Sequence, residues 1–132
     1  MPSVFSRIIT GEIPSHKIWE DAAFLAFLDI RPVRPGHTLV VPKKEVDYFF
    51  DLEDDLLSRL LVFAKPVAQA IRTVTGAERV GAVVAGFDVP HAHLHLIPAD
   101  HMGDLDFSRA KPASHDELAE MAAKLREALG SI

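Results

Sequence analysis

The chain has 132 residues, a formal net charge of −5, 48% hydrophobic and 25% charged residues, and no cysteine. Such a length and composition fit one soluble globular domain, expected over residues 1–132, and argue against global disorder. The missing cysteines exclude disulfide frameworks and cysteine-based zinc or redox sites and fit a reducing, cytoplasmic setting. The acidic balance disfavours a long polyanion such as duplex DNA but leaves room for a small phosphate ligand at a local site.

No run approaches the roughly 18 apolar residues that a membrane span needs. Met1-Pro2-Ser3-Val4 lacks the basic-then-apolar order of a secretory signal. Neither a membrane nor a nucleic-acid polymer is therefore an expected partner.

In chain order, Val4 to Ile9 has apolar residues at helical spacing and reads as a short helix, ended by Gly11 and Pro14. Lys17–Glu20 and Phe24–Leu28 read as two strands around an Asp21-Ala22-Ala23 turn. Arg31 to Gly36 is a Pro/Gly loop, and His37–Pro42 a buried strand rich in β-branched residues. Asp47 to Thr75 carries an apolar stripe at helical spacing, with Pro66 predicting a bend and Gly76 a C-terminal cap. Val80–Ala85 and Val89–Ile97 read as two further strands. Ser114-His115-Asp116-Glu117 is a capping box that opens a last helix through Leu118, Met121, Ala122, Leu125 and Leu129. Strands with segregated helices predict an α+β fold on an antiparallel sheet.

Three of the seven histidines stand in His91-Ala92-His93-Leu94-His95. Strand alternation places these three on one face and Ala92, Leu94 and Leu96 on the other. Three adjacent imidazoles are costly to bury without partners and repel one another when protonated, which disfavours a merely structural role. Two functional readings remain. Two of the rings could hold a metal ion, with His37 or Asp29 as a further ligand, although His91 and His95 lie roughly 13 Å apart along a strand. Alternatively, a neutral imidazole could attack phosphorus to form a covalent phosphoramidate, with its neighbours fixing its tautomer and donating to the phosphate. That reading predicts activity that falls on the acid side as the cluster protonates.

Arg31, Arg34, Lys43 and Lys44 make one basic neighbourhood, which is either a phosphate-side cluster or a solvated loop. His16, His101 and His115 belong to no constellation and read as surface residues. Trp19 reads as core or dimer-interface packing.

His91 to Ile97 resembles the signature of the histidine triad family, in which three histidines alternate with hydrophobic residues. Val4–Pro14, Phe27–Pro32 and Pro35–Lys43 resemble further blocks of its nucleoside phosphoramidate hydrolase branch, so that the likeness spans roughly residues 4 to 98. The resemblance implies a five-stranded antiparallel sheet with two main helices and a homodimer. It implies a hydrolase or nucleotidyl transferase acting at a nucleotide α-phosphate, on a phosphoramidate or a dinucleoside polyphosphate. In it, His93 would be the nucleophile, His91 would orient that ring, and His95 and His37 would serve the phosphate and leaving group. Asp29 would accept from ribose hydroxyls, while Val4, Phe5, Ile8, Phe27 and Ile30 would line the base pocket. No metal ligand and no cofactor are implied, and whether a divalent cation takes part is left open.

The segment before the triad departs from that branch. Val80, Phe87 and Asp88 stand where an Asn, a Gln and a Ser or Thr are expected, next to Val89. These residues lie on the nucleotide side of the site, where an ionised Asp88 would repel a phosphate at close range. Three readings follow: a different leaving group stacked on Phe87, a cation or basic residue paired with Asp88, or nucleotide binding with little catalysis. Retention of all four histidines favours activity.

Overall fold

In a computed structural model, residues 1–130 are described. The helix predicted at the N-terminus forms as α1 (Val4–Ile9), capped by the Ser3 side chain, which accepts from the Ser6 N–H. Five strands follow: β1 (Lys17–Glu20), β2 (Phe24–Leu28), β3 (Thr38–Pro42), β4 (Arg79–Val83) and β5 (Leu94–Ala99). They form one antiparallel sheet in the order β1-β2-β3-β5-β4. Two longer helices complete the α+β fold, α2 (Asp54–Thr75) between β3 and β4, and α3 (His115–Ala128) after β5.

The period-2 side-chain alternation of the strands sorts the core into two layers. Phe24, Ala26, Leu28, Val40, Leu94 and Leu96 face α2 and α3, where they pack with Leu60, Phe63, Val67, Ile71, Leu118 and Leu125. Leu25, Phe27, Leu39 and Val41 face the other way and are covered by Phe5 and Ile8 of α1. All five residues of β2 and of β3 are therefore buried. Ala92 and Leu94 anchor the triad segment from the helix side, as the alternation predicts.

Several boundaries differ from the sequence expectation, among them β4, which runs Arg79–Val83 and not Val80–Ala85. The long helix starts at Asp54 rather than Asp47: Phe49 to Asp51 form a separate 3-10 turn, and Leu52 reaches the core from outside the helix. Asp54 and Asp55 then occupy the first turn of α2, where negative charge is favourable. The helix continues through Pro66 without a break. Val62, whose carbonyl loses its partner there, lies on the solvent side. Gly76 caps the helix at φ +70°, a left-handed conformation that glycine adopts without strain.

The expected Val89–Ile97 strand is the main correction. β5 begins only at Leu94, because Pro90 has no N–H to donate, the His91 N–H turns back to the Val89 carbonyl, and the Ala92 N–H bonds Val46. His91 and His93 thus stand on an irregular approach to the strand, and His95 alone is on the ladder, opposite Leu39. Among the described residues no helix is long and apolar enough to cross a membrane.

Candidate functional site

His91, His93, His95 and His37 are all buried, at 0%, 4%, 8% and 1% exposure. Their rings form a row, with centroids 5.0 Å apart for His93 and His95 and 5.1 Å for His95 and His37. Phe5 of α1 meets His93 edge-on at 5.1 Å and His91 at 5.9 Å. Burial pushes the His37 pKa down to about 4. Burial first, and then the charges of His37 and His93, push that of His95 down to about 3. Burial also lowers His91, against the opposing effects of the Pro42 carbonyl and Glu45. The acid-side loss of activity expected from the sequence therefore does not come from His37 or His95 above about pH 5, where both rings stay mostly neutral.

In neutral rings each nitrogen is either a donor or an acceptor, and backbone atoms decide which. His93 Nδ1 lies 2.7 Å from the His91 carbonyl, which can only accept. His93 therefore carries its proton on Nδ1 and a bare lone pair on Nε2. His91 Nε2 lies 2.8 Å from the Pro42 carbonyl, so its Nδ1 is the acceptor for the Ser3 hydroxyl at 2.8 Å. The Val33 N–H donates to His37 Nδ1 at 3.0 Å, so the His37 proton is on Nε2 and is donated to His95 Nδ1 at 2.9 Å. His95 is thereby left with an N–H at Nε2. Neither His93 Nε2 nor His95 Nε2 has a hydrogen-bond partner among the described residues. Neither is a buried orphan, since Ser15 Oγ is the buried side-chain atom without a partner there. The row therefore offers solvent one lone pair and, beside it, one donor.

Asp29 follows β2, and its Oδ1 accepts from the Arg31 N–H at 2.9 Å. Its Oδ2 lies 3.6 Å from His37 Nε2. Burial is the main cause that raises its pKa. Phe5, Ile8 and Phe27 are buried in the layer beside the triad, with Val89 packed against them. Val4 and Ile30 are exposed at the rim, as are Phe87 and Asp88, with Phe87 94% exposed.

Two parts of the site left no signal in the sequence reading. The first is a clasp at the N-terminus. Glu45 Oε1 accepts from the Ser3 N–H at 2.7 Å and the Ser6 hydroxyl at 2.6 Å, and Ser3 passes its own hydroxyl proton to His91. Ser3→Ala leaves a buried acceptor on His91 and removes the cap of α1. The variant is expected to be about 1–3 kcal/mol less stable in denaturant titration.

The second is the segment between β5 and α3. Buried Asp104 accepts from the Asp100 N–H at 2.8 Å, from Arg34 at 2.9 Å and from Arg109 at 3.3 Å. These bonds hold Phe107 edge-on against His95 at 4.8 Å and His37 at 6.1 Å. Removing that ring admits water to both imidazoles. Phe107→Ala is expected to raise the His95 and His37 pKa values toward the ordinary histidine range, as read by NMR titration of the ring protons.

The basic neighbourhood is largely consumed by structure. Arg34 serves Asp104 and Asp100, Lys43 pairs with Glu20 at 2.8 Å, and Lys44 lies 3.6 Å from Glu53. Arg31 donates to the Ala110 carbonyl. Far from the triad, His16 and His115, expected to stand alone, pack with ring centroids 5.0 Å apart.

Comparison with known proteins decides the family. A family model for the HIT domain matches residues 10–102. The chain belongs to the HIT family. An uncharacterised HIT-like protein of Methanocaldococcus jannaschii is 38% identical over 123 residues, covering 87% of this chain and 94% of that protein. An adenosine 5'-monophosphoramidase of Schizosaccharomyces pombe is 37% identical over 100 residues, covering 74% of each. A solved hypothetical histidine triad nucleotide-binding protein of Sulfolobus tokodaii superposes with a TM-score of 0.86 at 28% identity, over 96% of this chain and 91% of that one.

Within this HIT chain, Asp29, His37 and His95 bring three potential metal-ligand atoms within 4.8 Å of one another. The hydrogen-bond pattern works against ligation there. With the Val33 N–H on Nδ1, His37 could coordinate through Nε2 only by losing its proton to become an imidazolate, or by breaking the Val33 bond. His95 Nδ1 is likewise already taken by His37.

Proposed function

We propose that this HIT protein is a nucleotide hydrolase or nucleotidyl transferase in which His93 Nε2 attacks the α-phosphorus of a small nucleotide. The observation that carries this reading is the tautomer pattern, which leaves a lone pair on His93 and an N–H on His95 side by side. The similarity to adenosine 5'-monophosphoramidases favours a nucleoside phosphoramidate as substrate.

In the first step the Nε2–P bond forms and the P–N bond of the substrate breaks. The departing amine keeps the bonding pair and takes a proton from solvent. The positive charge that arises on the His93 ring is stabilised through Nδ1–H by the His91 carbonyl, and neutral His95 donates from Nε2 to a phosphate oxygen. Water then attacks phosphorus, the pair returns to Nε2, and one proton is released to solvent. In the transferase case an acceptor hydroxyl or amine replaces water.

Asp29 would accept from the two ribose hydroxyls. Phe5, Ile8, Phe27, Val4 and Ile30 would flank the base, and Phe87, Asp88 and Val89 would close the other side of the nucleotide. The chemistry calls for no metal and no cofactor. A homodimer is supported by the open edge of β4 and by Leu61 and Val62 of α2, which are 55% and 72% exposed. A cysteine-free chain suits the cytoplasm.

Rapid quench of the protein with an adenosine phosphoramidate in the presence of a chelator tests the reading. Mass spectrometry should find an adenylyl group on His93. Tight nucleotide binding with no adduct and no turnover would leave a binding module instead.

A further inference from the structure

Around His93 lies a cleft of about 290 Å³ whose walls include Asp47, Tyr48, Phe49, Val84 and Phe87. Tyr48 and Phe87 are 59% and 94% exposed, so two aromatic faces stand open at its mouth. Among the described residues, no lysine or arginine lines it. The nearby cations Arg34, Lys43 and Lys44 are already paired with carboxylates, and Arg31 is bonded to Ala110. Asp47 is exposed in the cleft wall. Asp88, next to Phe87 in the chain, adds a second exposed carboxylate.

A dinucleoside polyphosphate would have to place a departing phosphate chain here, against carboxylates and without a countercharge. An uncompensated like-charge contact of this kind is unfavourable even in partly solvated surroundings. An amine with an apolar body and a further positive charge meets the opposite situation, since aromatic faces attract both apolar surface and cations.

We propose that the leaving group of this protein's substrate is an amine carrying a second positive charge on an aromatic or apolar body, bound between Tyr48 and Phe87 and selected by the carboxylate of Asp47 in the cleft wall. The proposal rests on the His93 reading above and names its substrate class. Asp47 thereby becomes the residue that sets specificity.

The test uses three adenosine phosphoramidates of one shape. Their amines are 4-methylbenzylamine, 4-(aminomethyl)benzylamine with its free ammonium, and 4-(aminomethyl)benzoate. Diadenosine triphosphate is a fourth substrate. The expected order of kcat/KM is ammonium, then neutral, then carboxylate, with about a tenfold spread between the charged pair, and diadenosine triphosphate slower than all three. The spread should shrink as salt is added. Asp47→Asn should bring the ammonium-to-carboxylate ratio to within about twofold of unity, with Asp88→Asn giving a smaller reduction. The ratio is internal to each variant, so a general loss of activity does not disturb it.

Equal rates for the three amines, or an unchanged ratio in Asp47→Asn, would overturn this proposal while an adduct on His93 still upheld the reading it rests on. Absence of an adduct with every substrate would overturn both.

Discussion

His93→Ala is expected to lose nucleotide turnover by at least about 10³-fold, with no nucleotidyl adduct detectable by mass spectrometry. That factor corresponds to about 4 kcal/mol or more of transition-state stabilisation. The size of the effect follows from the hydrogen bonding around the ring. The lone pair left open to solvent in the row is His93 Nε2, because His91 donates its Nε2 proton to Pro42, His37 donates its own to His95, and His95 must then present an N–H. No neighbour can take over the attack without a change of tautomer against a backbone carbonyl or N–H. The fold should survive the substitution, since the lost ring is one edge of the Phe5 contact and the strand ladder starts only at Leu94. Circular dichroism and a denaturant midpoint close to that of the parent would separate lost chemistry from lost structure. Turnover in His93→Ala within tenfold of the parent would refute the assignment of the nucleophile.

Acid should unfold this protein before its carboxylates are fully protonated. His37 and His95 have folded pKa values of about 4 and about 3, well below the ordinary 6.5, because burial disfavours their charged forms. Below pH 6.5 the unfolded chain takes up protons that the folded chain refuses, so stability falls as pH falls. It is fully present above about pH 6.5 and drains away down to the folded values. Each ring contributes at most about 1.4 kcal/mol per pH unit in that window, and the two together about 2.7. Native domains hold only about 5–15 kcal/mol in total, so a drop to pH 4.5 is expected to remove a large share. Asp29 acts in the opposite sense, because a raised carboxyl pKa favours the folded state as pH falls toward the carboxylate range, and it offsets part of the loss there. Urea titrations at pH 7.5, 6.5, 5.5 and 4.5 should show falling midpoints across the series. His95→Gln, with one ring fewer to protonate, should roughly halve the slope between pH 6.5 and 5. A stability that is flat from pH 7 to pH 5 would mean that the two rings are not held neutral by burial.

The strand edge at Leu94 was legible in part. Pro90 stands in the sequence and cannot donate to a ladder, yet the regular alternation through residue 97 outweighed it in the reading. Asp104 and Phe107 carried no such mark. An aspartate and a phenylalanine in a polar stretch after the last strand look like surface residues until the chain folds back across His37 and His95. The basic run near residues 31–44 reads from sequence as either a phosphate-side cluster or a solvated loop; in the fold, carboxylates at Glu20, Glu53, Asp100 and Asp104, distant in sequence, neutralise most of it.

Residue type and periodicity by themselves determined the α+β class and the burial of Ala92 and Leu94 on the helix side of the sheet. These depend on local geometry, which repeats every two residues in a strand and every 3.6 in a helix. Tertiary structure alone decided which nitrogen of each histidine holds the proton. That choice is made by the main-chain atoms of Val33, Pro42 and His91. Every residue type offers nearly the same carbonyl and N–H, so their roles are set by where the folded backbone brings them and not by the letters of the sequence.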